Sequence, residues 1–260
     1  MNTFQGHATE GSGEAIALKS HFVLLIDILG QQRHLDDWRT SQVASPRGAT
    51  PDLLNSVNRS AGTVCRLRED FMKFFQGRLK ASRESMVRNM NKLLLSSQPD
   101  RDRHEGLTQP ELKLLQFSDT FVAYSPSTTP QGDLSVGALF SLVGCACMLA
   151  PLYWARNVPL RGSLVIGHAG EFPDIGFYGP ALAQAHHLES RVAKYPRIVV
   201  SEYLWQGIQS SPPMAENDLF KGFIHDMLGL TGKLLGTDGD DERIIDYLGL
   251  VVRFQNNIAI

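Results

Sequence analysis

Asp27 interrupts the apolar run Phe22-Val23-Leu24-Leu25-Ile26-Asp27-Ile28-Leu29-Gly30, and Asp119 interrupts a second, Leu114-Leu115-Gln116-Phe117-Ser118-Asp119-Thr120-Phe121-Val122. Burying an unpaired carboxylate is costly, so an acid in such a run needs a cation or a hydrogen-bond network. Either aspartate alone reads as a turn or capping residue. Two in matching contexts, on strands that can neighbour each other, suggest a site for divalent cations. Mg²⁺ and Mn²⁺ prefer carboxylate and carbonyl oxygens and usually share their coordination shell with substrate phosphates. Asp27, Asp119 and the main-chain carbonyl of Ile28 are therefore candidate ligands for two such ions. Leu29, Gly30, Gln31 and Gln32 follow as a strand-to-helix turn. Its N–H groups would face triphosphate oxygens, with Gly30 allowing close backbone approach.

Three further groups of residues carry chemistry. Arg161, at the entrance to Leu160-Arg161-Gly162-Ser163-Leu164-Val165-Ile166-Gly167, is placed either to hold a phosphate bidentately or to make a structural salt bridge. His186, His187 and Glu189 invite a metal reading, but adjacent histidines lie about 100° apart round a helix, so a solvated or interface role fits better. The acidic run Asp238, Asp240, Asp241, Glu242 lacks the ligand order of a calcium loop and reads as a hairpin tip. Gly229 to Lys233 lacks the first glycine of a P-loop.

The elements that must position these residues follow from periodicity and turn signals. Residues 1–15 are polar and Gly-rich, are expected to be disordered, and lack the pattern of a signal peptide. His21 to Leu29 reads as a buried strand, and Asp36 to Thr50 as a polar connection. A helical insert is expected over about 52–95. Its apolar face is Val57, Val64, Leu67, Phe71 and Phe74, with a possible break at Gly77 and a second helix through Met86, Met90 and Leu93. Ser96 to Gln109 reads as a charged loop. A hairpin follows, Leu112–Phe117 and Thr120–Tyr124 around the Ser118-Asp119 turn. Ser135 to Arg156 is a long helix; its run Val136 to Leu152 is slightly short of a membrane span, so a buried helix is expected. Then come a strand over Leu160 to Gly167, a turn-rich stretch to Gly179, a helix from Ala181 to about Ala193 opened by Pro180, a strand Arg197–Ser201 and a helix Glu202–Gln209. After a loop from Ser210 to Asn217, two tail strands are expected near Phe223–Met227 and Ile244–Phe254. With no internal repeat, residues 16–260 are expected to form a single α+β domain.

The composition excludes little. Of 260 residues 43% are hydrophobic and 20% charged, with a formal net charge of −2. That balance gives no global attraction to nucleic acid or an anionic membrane, and neither is an expected partner. Cys65, Cys145 and Cys147 provide no disulfide framework, and Cys145 and Cys147 make a poor zinc pair on a helix. Buried reduced thiols and a cytoplasmic location are expected.

Five blocks, in order, resemble the class III nucleotide cyclases, and among them the pyrimidine cyclases of bacterial anti-phage (Pycsar) signalling. They are Asp27-Ile28-Leu29-Gly30, Phe117-Ser118-Asp119, Arg161-Gly162, Tyr178-Gly179-Pro180-Ala181-Leu182 leading to Leu188-Glu189-Ser190, and Tyr195-Pro196-Arg197-Ile198-Val199. The likeness spans most of Phe22 to Ser201 and, weakly, Asp246-Tyr247-Leu248. It implies a ferredoxin-like sandwich, a central mostly antiparallel sheet flanked by helices. It also implies a homodimer with sites at the interface, and two Mn²⁺ or Mg²⁺ ions per site on Asp27, Asp119 and the Ile28 carbonyl. The implied reaction converts a nucleoside triphosphate to its 3′,5′-cyclic monophosphate and pyrophosphate. The product would act on a cyclic-nucleotide-activated effector in antiviral defence. The helix after the glycine turn carries Ala183 and His187 where purine cyclases carry Asn and Arg, and Leu115 and Gly176 stand where those enzymes read the base. The missing purine set fits a changed substrate, and the resemblance to the pyrimidine cyclases implies UTP, ahead of CTP. Transition-state charge falls to His187, Arg191 or Lys233. A purine cyclase with unusual base readers and a catalytically inactive nucleotide-binding module are the alternatives.

Overall fold

In the computed structural model, residues 18–30, 51–93, 97–210 and 219–249 are described. The expected disordered segment 1–15, the connection 36–50, Gln31 and most of the 210–217 loop lie outside them. The order of elements is β1 (Lys19–Ile28), α1 (Pro51–Leu93), α2 (Gln98–Thr108), β2 (Lys113–Phe117), β3 (Thr120–Pro126), α3 (Val136–Ala155) and β4 (Leu160–Phe172). It continues with β5 (Gly176–Tyr178), α4 (Pro180–His187), a π turn at Leu188–Val192, β6 (Ile198–Val200), α5 (Glu202–Gln209), α6 (Leu219–Gly232), β7 (Leu235–Thr237) and β8 (Arg243–Ile245).

The sheet order is β2-β3-β1-β4-β6-β8-β7, with β5 paired to the far end of β4. β1 lies between β3 and β4 and is antiparallel to both. The first half, βαββαβ with order β2-β3-β1-β4, is the ferredoxin-like arrangement. Among the described strands only the β4–β6 contact is parallel. The expected α+β sandwich is thus the observed fold.

The alternation of side chains along a strand separates two apolar layers. Phe22, Leu24, Ile26 and Ile28 of β1 join Phe121 and Ala123 of β3 and Leu164 of β4 beneath α1, α3 and α6 in the larger core. Val23 and Leu25 face the other way, with Val122, Tyr124 and Val165, and are covered by Ala181 and Ala185 of α4. Asp27, two residues beyond Leu25, continues this second row. α3 is long and apolar enough to cross a membrane, but most of it is buried, and Leu139, Leu142 and Leu149 are core residues, as expected for a buried helix.

Several expectations are corrected. Gly77 makes no break: α1 runs uninterrupted past it, because Phe71, Phe75 and Leu79 pack on the core and outweigh the roughly 1 kcal/mol penalty of a helical glycine. The buried face of α1 includes Val64, Leu67 and Phe71 but not Val57, which is 48% exposed. The presumed loop after residue 96 is α2: the Ser97 hydroxyl caps the Asp100 N–H, and proline stands in the first turn. The tail segment Phe223–Met227 belongs to helix α6. Phe220, Phe223, Ile224, Met227 and Leu228 recur at helical spacing and reach the core, whereas the strand reading took only Phe223–Met227, too short a stretch to show that period. The terminal hairpin is instead β7–β8, shorter than the strand expected over 244–254, whose residues from 250 on are outside the described set. Asp238 and Asp240 sit at its tip and bind the buried Arg197 guanidinium at 3.1 and 2.6 Å, in keeping with a structural hairpin tip.

Candidate active site

Three neighbouring strands bring the site together at one end of the sheet. Asp27, the penultimate residue of β1, pairs with Thr120 on one side and with Arg161 on the other. Asp119 is not on a strand. It occupies the two-residue turn between Phe117 and Thr120, where Ser118 adopts φ +51°. The Ile28 N–H donates to the Asp119 carbonyl at 3.3 Å, which ties that turn to the end of β1. Asp119 therefore lies beside Asp27 with an offset of one residue from direct cross-strand pairing.

The two oxygens of Asp27 have separate partners. Oδ1 accepts from the Thr120 hydroxyl at 3.3 Å, and Oδ2 from Arg161 Nη2 at 3.3 Å. Arg161 is held more closely by Glu189, whose Oε1 accepts Nε at 2.6 Å and lies 2.5 Å from Nη2. Glu189 comes from the π turn after α4, where the Ala193 N–H reaches back to the Leu188 carbonyl at 2.9 Å. That helix is seated on β4 by the buried Ser163 hydroxyl, which donates to the Ala185 carbonyl at 2.7 Å. Gly162 lets β4 approach β1 next to Arg161. A Cβ there would sit 2.3 Å from the Leu25 carbonyl oxygen.

The electrostatics follow from this crowding. Burial first, then the charges of Asp119 and Glu189, push the Asp27 carboxyl up to about 6, against the opposing pull of Arg161 and the Thr120 hydroxyl. Three acids and one arginine leave the cluster short of positive charge, which is the condition a divalent cation relieves. The donor set is hard oxygen, suited to Mg²⁺ or Mn²⁺. Among the described residues no group of three or more His, Cys, Asp or Glu side chains has the arrangement of a metal site. The fit therefore rests on two carboxylates assisted by main-chain oxygen.

The other sequence-derived candidates are placed as follows. Leu29 donates its N–H to the Pro159 carbonyl at 3.0 Å, and Gly30, exposed, turns the chain at φ +89°. Gln31 is outside the described residues. Leu115 is half-buried on β2, and Gly176 is exposed at the start of β5. Neither offers a side-chain hydrogen bond. His187 ends α4, exposed, two residues before Glu189, and Arg191 is exposed in the π turn. Lys233 precedes β7, which is four strands from β1 in the sheet order, so it is not gathered with Asp27. Thr120 was missed as a site residue, and Glu189 was weighed only beside His186 and His187 as a metal group, not as the partner of Arg161. Glu189 had a signal: it falls on the buried side of the helical segment carrying Ala181 and Ala185, a position where an acid needs a partner.

No family model matches the chain, and no curated protein matches it. Among solved structures it is similar to the adenylyl cyclase CyaB from P. aeruginosa, at 13% identity and a TM-score of 0.43. It is also similar to the catalytic core of a rhodopsin-guanylyl cyclase with converted specificity in complex with ATPalphaS, at 13% identity and a TM-score of 0.36. Each similarity covers 74% of this chain and 82% of the other. Likeness of this size fixes neither fold nor activity for this chain.

Proposed function

We propose that the chain is a nucleotide cyclase that converts a pyrimidine nucleoside triphosphate, UTP ahead of CTP, to its 3′,5′-cyclic monophosphate and pyrophosphate. The observation that carries this reading is the convergence of Asp27 and Asp119 at the β1–β3 end, close enough for the charge of one to raise the other. The ordered sequence blocks that resemble class III cyclases support it independently.

Asp27, Asp119 and the Ile28 carbonyl would hold the cations. When bound, divalent cations lower the pKa of the ribose 3′-hydroxyl and neutralise the phosphates. The 3′-oxygen forms its bond to the α-phosphorus as the bond to pyrophosphate breaks, and the hydroxyl proton leaves to solvent. The backbone at Leu29 and Gly30 would face the phosphates, as would Gln31. Arg161 supplies positive charge beside them, and His187, exposed at the end of α4, is a further candidate for that role. Leu115 and Gly176, which lack hydrogen-bonding side chains, favour a base read differently from adenine or guanine. The working form is a homodimer with its sites at the interface, and the product serves as a second messenger for an effector in anti-phage defence.

The test is incubation of the purified chain with each of the four nucleoside triphosphates and Mn²⁺, followed by chromatography of the products. Cyclic UMP or cyclic CMP, lost in Asp27→Ala, supports the proposal. A cyclic purine product keeps the reaction but overturns the substrate. No product with any nucleotide favours an inactive binding module, the reading that Ala183 and His187 would fit.

A further inference from the structure

We infer that Glu189 is a positioning residue that draws Arg161 away from Asp27 and so leaves the Asp27 oxygens available to a divalent cation. The inference rests on the metal-dependent reading above and concerns what makes that site able to load.

Asp27 and Arg161 are direct partners in the β1–β4 ladder. An arginine opposite an aspartate normally closes into a short bidentate pair, which would neutralise the carboxylate and fill its lone pairs. Here it does not close. Arg161 reaches Asp27 through one nitrogen at 3.3 Å, while Nε and Nη2 both turn to Glu189 at 2.6 and 2.5 Å. Glu189 can compete because its side chain is only 6% exposed, against 15% for Asp27, and because the π turn carries it to the arginine. A π turn inserts one residue into a helical turn, a device common where a side chain must be re-aimed. The second Asp27 contact, to Thr120, is equally long at 3.3 Å. Asp27 is thus held at longer range than Glu189, and the guanidinium that would otherwise take the cation's place is held chiefly by Glu189.

The test reads Mn²⁺ affinity directly, by the electron paramagnetic resonance signal of free Mn²⁺ without nucleotide, alongside the Mn²⁺ dependence of turnover. Glu189→Gln frees Arg161 to close on Asp27 and is expected to weaken Mn²⁺ binding by about tenfold or more, in the range of supporting residues around metal ligands. At saturating Mn²⁺ its turnover should recover more than its metal affinity does. Removing the competitor as well, in Glu189→Gln/Arg161→Met, should restore Mn²⁺ affinity to near the wild-type value. A residue that merely braces the fold would not be rescued in this way, so failure of rescue overturns the inference. Should Glu189→Gln not fold, Arg161→Met alone decides: affinity equal to or tighter than wild type supports the inference, and weaker binding overturns it. Wild-type protein that binds no Mn²⁺ defeats the metal reading itself. Wild-type binding with unchanged affinity in Glu189→Gln defeats only the role given to Glu189.

Discussion

Asp27→Asn is expected to stabilise the metal-free protein while abolishing cyclase activity. The Asp27 carboxyl is displaced from its ordinary 3.8 up to about 6, so at neutral pH its ionised form is disfavoured in the fold by about 3 kcal/mol relative to the unfolded chain. Its side chain is 15% exposed, so solvent screening relieves little of this. Between 3.8 and about 6 the folded protein keeps a proton that the unfolded chain has lost. The stabilisation from that proton is full below the unfolded value and is lost as pH rises through the folded one. Asparagine has no charge to lose, so its advantage over aspartate should be near zero at about pH 4 and grow to about 1–3 kcal/mol by about pH 8. The assay is urea denaturation of both proteins at a series of pH values, without metal. A difference that does not change with pH, or an asparagine variant less stable at high pH, would refute the account of Asp27 as a strained carboxylate awaiting a cation.

Other outcomes follow from the same geometry. Mn²⁺ must displace the proton from Asp27, so its affinity should fall by up to about tenfold per pH unit below about 6; titration calorimetry across that range checks this, and a flat profile contradicts it. Gly162→Ala forces a methyl against the Leu25 carbonyl oxygen, which is fixed in the β1–β4 ladder, and should cost about 1–3 kcal/mol in denaturant unfolding; a loss near zero would mean that the strands separate freely. Phe71→Ala, fully buried against Phe121 at 5.0 Å between ring centroids, should cost about 3–5 kcal/mol by the same measurement, and a small loss would show that α1 does not anchor the larger core.

The parts of this fold that were legible in the sequence are those in which a pattern repeats over several residues. β1 declared itself through the apolar residues Phe22 to Ile26, the β2–β3 hairpin through two shorter apolar stretches around Ser118-Asp119, and α3 through its length. Helix α2 was obscured because its polar residues, Asp100 to Glu105, carry no strong apolar stripe, and only the Ser97 cap and Pro99 announce it. Helix α6 was mistaken for a strand because a five-residue window, Phe223–Met227 with His225 and Asp226 inside it, is too short to distinguish periods of two and 3.6. At the site, Asp27 and Asp119 could be named because an acid within an apolar run is unusual. The guanidinium between Asp27 and Glu189 could not be, since it depends on strand register and on a π turn that sequence periodicity does not specify. The sequence left Arg161 open between a phosphate contact and a structural salt bridge, and in the structure it makes ion pairs with Glu189 and Asp27.

The central claim is that Asp27 and Asp119 share divalent cations beneath a triphosphate. Its most direct test is a crystal grown with Mn²⁺ and a non-hydrolysable UTP analogue, measured at the manganese absorption edge. Two anomalous peaks about 4 Å apart are predicted, each coordinated at about 2.2 Å by oxygens of both carboxylates. Manganese bound elsewhere, or Asp27 still paired with Arg161 while Asp119 points away from any cation, would contradict the account.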